Sequence, residues 1–188
     1  MQVKNETKEL KAAISGTNKF DSKKLELYFE RIRCDKKKMY ELVRGFCATY
    51  LVDSEQRPLR LRPLQMDIIV NALTYPEGNP KKHRKMAILA PRGSGKSWAL
   101  SVAATIYMFF KRFRDTIFIL APTEDQCALI FNYVLRHFQD NQFLNSLINN
   151  YRLHNKPSIN MKGGTILRRA PISPTNQGQA IRGQHPTF

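Results

Sequence analysis

The sequence predicts an α/β protein, in which helices pack against a parallel sheet, with a helical arm at the N-terminus. Two apolar runs carry this prediction: Met86–Leu89 and Thr116–Leu120 are each followed by a short loop and a long helical pattern. Repeated strand, loop and helix units form parallel layers through right-handed crossovers. The 188 residues, of which 42% are hydrophobic, are enough for one ordinary domain and an extension.

The predicted arm comprises residues 1–58 and contains two helices. The first follows Asp21–Ser22, a pair that can cap a helix, and reaches Ile32. The second runs from Asp35 to Tyr50 with apolar residues at helical spacing. Lys36–Lys38 fits either a solvated helix end or a patch that contacts DNA. Turn signals then separate the arm from a second part, residues 59–188.

The second part opens with a predicted helix from Pro63 to Leu73, because proline suits the first turn of a helix. Gln65 lies in this helix and has two interpretations. It is an exposed helix residue, or its amide donates to and accepts from the edge of adenine.

The residues Ala90–Ser97, with the sequence Ala-Pro-Arg-Gly-Ser-Gly-Lys-Ser, form the central motif. It lies between the predicted strand Met86–Leu89 and a long apolar helix, which is the setting of a phosphate-binding loop. Glycines let backbone N–H groups converge on phosphate oxygens, and the helix N-terminus favours their negative charge. The motif departs from the usual G-x-x-x-x-G-K-[ST] pattern in its first position, which is Ala90. A flexible turn before a helix is the alternative interpretation.

Within this loop the residue types suggest roles in binding ATP and Mg²⁺. Lys96 would reach the β- and γ-phosphates, and the Ser97 hydroxyl would be a magnesium ligand. Arg92 would act as an arginine finger on the γ-phosphate, or would only tighten ground-state binding. The candidate catalytic residues are therefore Arg92 and Lys96, and the candidate nucleotide-binding residues are Gln65, Pro91, Arg92, Gly93, Ser94, Gly95, Lys96, Ser97 and Trp98.

After this helix, Thr116–Leu120 is continuously apolar and β-prone, as expected of a strand covered on both faces. Ala121-Pro122-Thr123 ends the strand, and a helix is predicted from Glu124 to Phe138. Residues 158–168 are predicted to form a strand, a glycine turn and a second strand. Residues 171–188 are predicted to form a polar loop.

Composition limits the cellular setting and the partners. The net charge of +16 favours a polyanionic partner such as nucleic acid, although a basic surface also keeps a protein from aggregating. The three cysteines have no metal or disulfide spacing and are expected to be free thiols, and the scattered histidines predict no zinc site. The N-terminus is not a secretory signal, and no apolar run approaches a membrane span, so we expect a cytoplasmic protein.

Taken together, residues 59–188 resemble the large terminase subunit, the ATP-driven DNA-packaging motor of tailed bacteriophages. In that family's phosphate loop the first glycine is replaced, and an arginine lies three positions before the last glycine. In this chain the residue at that position is Arg92. The other matching features are Leu64-Gln65, Leu120-Ala121-Pro122-Thr123 with Gln126, and Ile181-Arg182-Gly183. The resemblance strengthens the interpretation in which Gln65 recognises adenine.

The resemblance implies a P-loop NTPase three-layer sandwich, incomplete here, in a viral protein of the host cytoplasm. It implies double-stranded DNA, the portal protein and the small terminase subunit as partners, and a homo-oligomeric ring in the full motor. It also implies a following strand ending in Asp-Glu and a nuclease domain, neither of which is in these residues. This chain alone is therefore expected to bind ATP and to hydrolyse it at a near-background rate.

Two alternatives remain open. Ala-Pro-Thr before a helix also occurs in superfamily 2 helicases, so the chain could be a fragment of a helicase-like ATPase. A non-catalytic basic adaptor that binds DNA or a partner protein is the second alternative.

Overall fold

A computed structural model describes residues 22–76, 79, 86–111 and 115–171. Within these ranges the chain forms six helices and four strands in the order α1 (Ser22–Ile32), α2 (Lys36–Tyr50), α3 (Pro63–Leu73), α4 (Lys96–Phe110), β1 (Thr116–Ala121), α5 (Glu124–Gln139), α6 (Gln142–Asn145), β2 (Ile148–Arg152), β3 (Ser158–Met161) and β4 (Ile166–Pro171).

The helices begin where local side chains can accept hydrogen bonds from their first turns. Asp35 Oδ1 accepts from the backbone N–H groups of Lys37 and Lys38 at the start of α2. Thr123 Oγ1 accepts from the N–H of Gln126 at the start of α5. These caps satisfy backbone donors that have no partner inside the helix. The predicted helices of the arm, the Pro63 helix and the helix after Thr123 are confirmed.

The helices of the predicted arm share one hydrophobic core with α3 and α4. Phe29 of α1 stacks on Phe110 of α4 with ring centroids 4.7 Å apart. Phe46 of α2 packs edge-on against Phe109 at 5.1 Å. Aromatic rings of this size bury a large apolar area, so these contacts fix α1 and α2 on the C-terminal half of α4. The predicted division at residue 58 stays a prediction.

A partly buried polar network reinforces the contact between α1 and the end of α4. The Lys111 ammonium lies 2.6 Å from Glu26 Oε1 and 2.8 Å from Glu30 Oε1. Tyr75 donates to Glu30, and Arg33 donates to the Tyr75 hydroxyl at 2.9 Å. Burial raises the pKa of Glu30, but the hydrogen bonds from Lys111 and Tyr75 and the charge of Arg33 outweigh it and lower the pKa. Glu30 is therefore held as a carboxylate within the network.

The four strands form one mixed sheet in the order β1-β4-β3-β2. Strands β1 and β4 are parallel, whereas β4 pairs with β3 and β3 with β2 in antiparallel fashion. The α/β class is therefore confirmed, but the prediction of a parallel sheet is wrong for two of the three pairings. Both antiparallel pairs are joined by short connections, residues 153–157 between β2 and β3 and residues 162–165 between β3 and β4. Connections this short can join only antiparallel strands.

The predicted strand Met86–Leu89 is not formed. These residues have no regular secondary structure, and Leu89 has 99% of its surface exposed. A strand is stabilised by its hydrogen-bonded neighbours, and no strand in the described ranges pairs with this run. An apolar run of four residues therefore does not make a strand by itself.

Strand β2 and the short helix α6 were not predicted. In β2, Ile148 is half-buried and the next four residues are exposed, so the strand has no apolar alternation that could reveal it. The strand is held at the sheet edge by pairing with β3.

None of the helices in the described ranges is long and apolar enough to cross a membrane. Cys34, Cys47 and Cys127 are free thiols, as predicted. Burial raises the pKa of the Cys47 thiol to about 12, which keeps it protonated.

Candidate functional site

The turn before α4 depends on two glycines in the left-handed region. Gly93 has φ +78° and Gly95 has φ +82°, a conformation that side-chain-bearing residues rarely adopt. The N–H of Ser94 donates to the carbonyl of Pro91 at 3.4 Å, which closes the turn around residues 91–94. The loop therefore reverses the chain and directs it into the first turn of α4.

The N-terminus of α4 has no side-chain cap. Its N-cap residue is Gly95, and no acidic residue lies in its first turn. By contrast, Asp35, Thr123 and Asn141 cap α2, α5 and α6 through their side chains. The first N–H groups of a helix are left without intrahelical partners and carry the positive end of the helix dipole. This end of α4 can thus accept an anion.

Lys96, the first residue of α4, extends back over the turn. Its ammonium donates to the carbonyls of Ala90 and Pro91, at 2.7 Å in both cases, and to Ser94 Oγ at 3.4 Å. An ammonium has three donors, and here all three are used inside the loop. A phosphate bound at the loop would compete with these carbonyls for the same cation.

Gln65 of α3 is brought against the loop although it lies thirty residues earlier in the sequence. Its Oε1 accepts from the N–H of Arg62 at 3.0 Å, which supports the start of α3. Its Nε2 faces Gly95: a Cβ built on Gly95 would lie 2.5 Å from that nitrogen. Residue 95 must therefore be glycine both for its backbone conformation and for its contact with Gln65.

Beneath the loop, α4 and α5 are joined through a buried histidine. Ser101 Oγ lies 3.1 Å from His137 Nε2 and donates to the carbonyl of Trp98 at 2.7 Å. The Trp98 and His137 rings pack edge to face with centroids 5.8 Å apart. Burial lowers the pKa of His137 to about 4, so the imidazole is neutral at pH 7. Sequence reasoning missed this contact because a lone histidine on a helix gives no signal of its partner.

The other predicted site residues differ in accessibility. Pro91 and Arg92 are exposed, whereas Ser97 and Trp98 are half-buried in the first turn of α4. Within the described ranges, no group of three or more His, Cys, Asp or Glu residues is placed to hold a metal ion. The loop does fit a phosphate group, since left-handed glycines, an uncapped helix end and a lysine converge on it. Ile181-Arg182-Gly183 lies outside the described residues.

The Ala121-Pro122-Thr123 segment has a structural role at the end of β1. Thr123 caps α5, and the thiol of Cys127 one turn later donates to the carbonyls of Ile119 and Ala170 at 3.7 and 3.3 Å. This end of β1 and β4 is therefore tied to the first turn of α5.

The described residues thus define a mixed α/β protein with a glycine-containing turn before a helix that has no side-chain cap. In structure, the chain is similar to the large terminase of bacteriophage HK97, with a TM-score of 0.56 and 18% sequence identity. The similarity covers 79% of this chain and 29% of that terminase, so this chain spans less than a third of its length. No family model and no curated protein matches the sequence. The likeness shows a shared fold.

Proposed function

We propose that this chain is the ATP-binding part of a large terminase subunit, the motor that uses ATP hydrolysis to move double-stranded DNA into a viral capsid. One observation carries the proposal: the left-handed glycines, Lys96 and the uncapped start of α4 converge in one turn. The similarity of fold to the HK97 large terminase supports the choice of this motor among ATP-binding proteins.

In the proposed site each residue has a defined task. The N–H groups of Gly95 and the first turn of α4 donate to phosphate oxygens, and Lys96 exchanges its carbonyl partners for them. Ser97 is placed in the first turn, where its hydroxyl can serve as one ligand of Mg²⁺ bound with the nucleotide. Arg92 is exposed, and its long side chain ends in a guanidinium group that can contact the γ-phosphate. The nucleotide supplies the phosphoryl group whose transfer releases the energy of packaging.

The remaining features of the proposal extend beyond the loop. Double-stranded DNA is the proposed substrate, and the portal protein and small terminase subunit are the proposed partners in a ring of motor subunits. The net charge of +16 supports a polyanionic partner.

The proposal is tested by titration calorimetry of Mg·ATP with the full chain and with Lys96→Ala. Removing the ammonium deletes a charge-assisted contact to phosphate, and we expect affinity to fall at least about tenfold. Lys37→Ala is the matched control, because Lys37 is an exposed lysine on α2. Its affinity should equal that of the wild type.

Equal ATP affinity in the wild type and Lys96→Ala would remove the phosphate-loop assignment. Equal losses in Lys96→Ala and Lys37→Ala would show that only overall charge attracts the nucleotide. Either result would contradict the proposed function.

A further inference from the structure

One face of the sheet is packed against α5, and this fixes which face each regularly paired strand residue occupies. Arg169 of β4 lies over the Phe131 ring of α5, 5.5 Å from its centroid, and the Tyr151 hydroxyl accepts from Gln139 of α5 at 3.5 Å. Side chains alternate between the two faces of a strand. Residues next to Tyr151 and Arg169 in sequence therefore lie on the opposite face.

We call this opposite side the outer face and define it by five residues of β2, β3 and β4: Asn150, Arg152, Ser158, Asn160 and Arg168. The strand register places them in two rows. In one row Arg152 is paired with Ser158, and Ser158 with Arg168. In the other, Asn160 donates a side-chain hydrogen bond to Asn150. The outer face therefore carries cations and amides side by side.

The charge of this region has one sign. After Asp140 the sequence contains six Lys and Arg residues and no Asp or Glu. On the outer face Arg152 is exposed, and Lys156 is exposed in the adjoining turn between β2 and β3. Neighbouring strands lie about 4.8 Å apart, so the backbones of Arg152 and Arg168 are about 10 Å apart. Ser158, which lies between these two arginines, is buried, and β2, β3 and β4 contain no Asp or Glu. Spaced cations on strands without acids suit a ligand that presents a row of negative charges.

We propose that the outer face and the adjoining 153–156 turn bind the phosphate backbone of double-stranded DNA. Arg152 and Lys156 make charge-assisted contacts to phosphates, and the Asn150–Asn160 pair donates to sugar and phosphate oxygens. The choice of DNA as the polyanion rests on the proposed function, whereas the location rests on the register and the charge.

The chemistry of the surface favours a duplex over a single strand. Proteins that bind single strands without sequence preference stack the bases on exposed aromatic rings. The aromatic ring that the register adds to the outer face is Phe118 of β1, paired with Arg168, and it is only half-exposed. Tyr151 is exposed, but it lies on the side of α5. Contacts to the DNA backbone require cations and amide groups, and they do not require exposed aromatic rings.

The test is fluorescence anisotropy of a labelled 30-base-pair duplex titrated with the full chain across a series of salt concentrations. For Arg152→Ala/Lys156→Ala we expect affinity to fall about tenfold, and the salt slope to decrease by about 1.8, because each lost phosphate contact removes about 0.9. The conservative variant Arg152→Lys/Lys156→Arg keeps both charges and should keep binding within about twofold.

The matched control is Arg31→Ala/Arg44→Ala, which removes the same charge from exposed positions on α1 and α2. Its affinity and salt slope should change little. Equal losses in this control, an unchanged affinity in Arg152→Ala/Lys156→Ala, or tighter binding of a single strand than of the duplex would each overturn the proposal. Mg·ATP titration of the same variants separates the two proposals, because ATP affinity should be unchanged when only DNA binding is lost.

Discussion

The N-termini of α4 and α5 solve the same physical problem in opposite ways. Both helices have about four turns, and both begin after a short loop. The first turn of α5 contains Glu124 and Asp125 and is capped by Thr123, so its positive end is satisfied by its own side chains. The first turn of α4 has a glycine cap and no acid. The chain's own side chains thus stabilise the start of α5, whereas the start of α4 has neither a side-chain cap nor an acid in its first turn, as the proposed nucleotide site requires.

The largest expected effect comes from replacing Gly95, the N-cap residue of α4. Alanine at this position must adopt φ +82°, which costs about 1–2 kcal/mol, and its Cβ would lie 2.5 Å from Gln65 Nε2. We expect Gly95→Ala to lose measurable Mg·ATP binding in titration calorimetry and to unfold at lower denaturant concentration than the wild type.

Two variants sharpen that result. In Gly93→Ala the only unfavourable term is the left-handed backbone conformation, because nothing lies within 4 Å of the added Cβ. This substitution should therefore be milder than Gly95→Ala. Thr123→Ala removes the cap of α5 and should destabilise the chain by about 1 kcal/mol without changing ATP affinity. If Gly93→Ala and Gly95→Ala are equally impaired, the contact with Gln65 has no consequence.

The second prediction concerns the histidine that joins the two helices. The pKa of His137 is about 4 in the folded chain, below the usual 6.5, so the unfolded chain binds more protons between these values. Stability contributed by neutral His137 is therefore complete above pH 6.5 and is lost as the pH falls toward 4. From pH 7 to pH 5 the free energy of unfolding should decrease by about 2 kcal/mol, as measured by urea unfolding.

His137→Phe should flatten this pH dependence, because the titrating group is removed and the ring packing against Trp98 is kept in part. His154→Phe is the control, since His154 is exposed. If the pH dependence of the free energy of unfolding persists unchanged in His137→Phe, then other titrating groups cause it.

Local signals explain which elements the sequence could predict. Asp35, Pro63 and Thr123 mark helix starts through hydrogen bonds and backbone preferences that act within a few residues, and those helices were predicted closely. The turn with Gly164 likewise predicted the β3–β4 hairpin. The sequence predicted a glycine turn before α4, and Gly93 and Gly95 lie there in the left-handed conformation.

The errors and omissions arise from contacts between one segment of the chain and another. The exposed strand β2 depends on pairing with β3, and Met86–Leu89 has the composition of a strand without a partner in the described ranges. The parallel pairing of β1 with β4 joins residues fifty positions apart. In the site, the Gln65–Gly95 contact and the Ser101–His137 hydrogen bond have the same origin. Sequence periodicity contains no term for such contacts.

The smallest expected effect concerns the base of the nucleotide. Reading adenine through both its acceptor and its donor requires both ends of the Gln65 amide at once, while Oε1 keeps its hydrogen bond to the backbone N–H of Arg62 and has only its second lone pair to offer. The remaining NH₂ group can donate to N7 of a purine, and N7 is an acceptor in adenine and guanine alike. Gln65→Ala should therefore lower the affinities for ATP and GTP by the same factor, about two- to fivefold, in parallel calorimetric titrations.

Gln65→Glu is the matched variant, because a carboxylate can still accept from Arg62 but has no NH₂ group to donate. It should reproduce the loss of affinity for both purine nucleotides, and the ratio of the two dissociation constants should stay within about twofold of the wild-type ratio. If Gln65→Ala instead removes a preference for ATP over GTP, the amide must leave Arg62 when the nucleotide binds. The start of α3 would then exchange its own hydrogen bond for one to the base, and base recognition would be coupled to the position of that helix against Gly95.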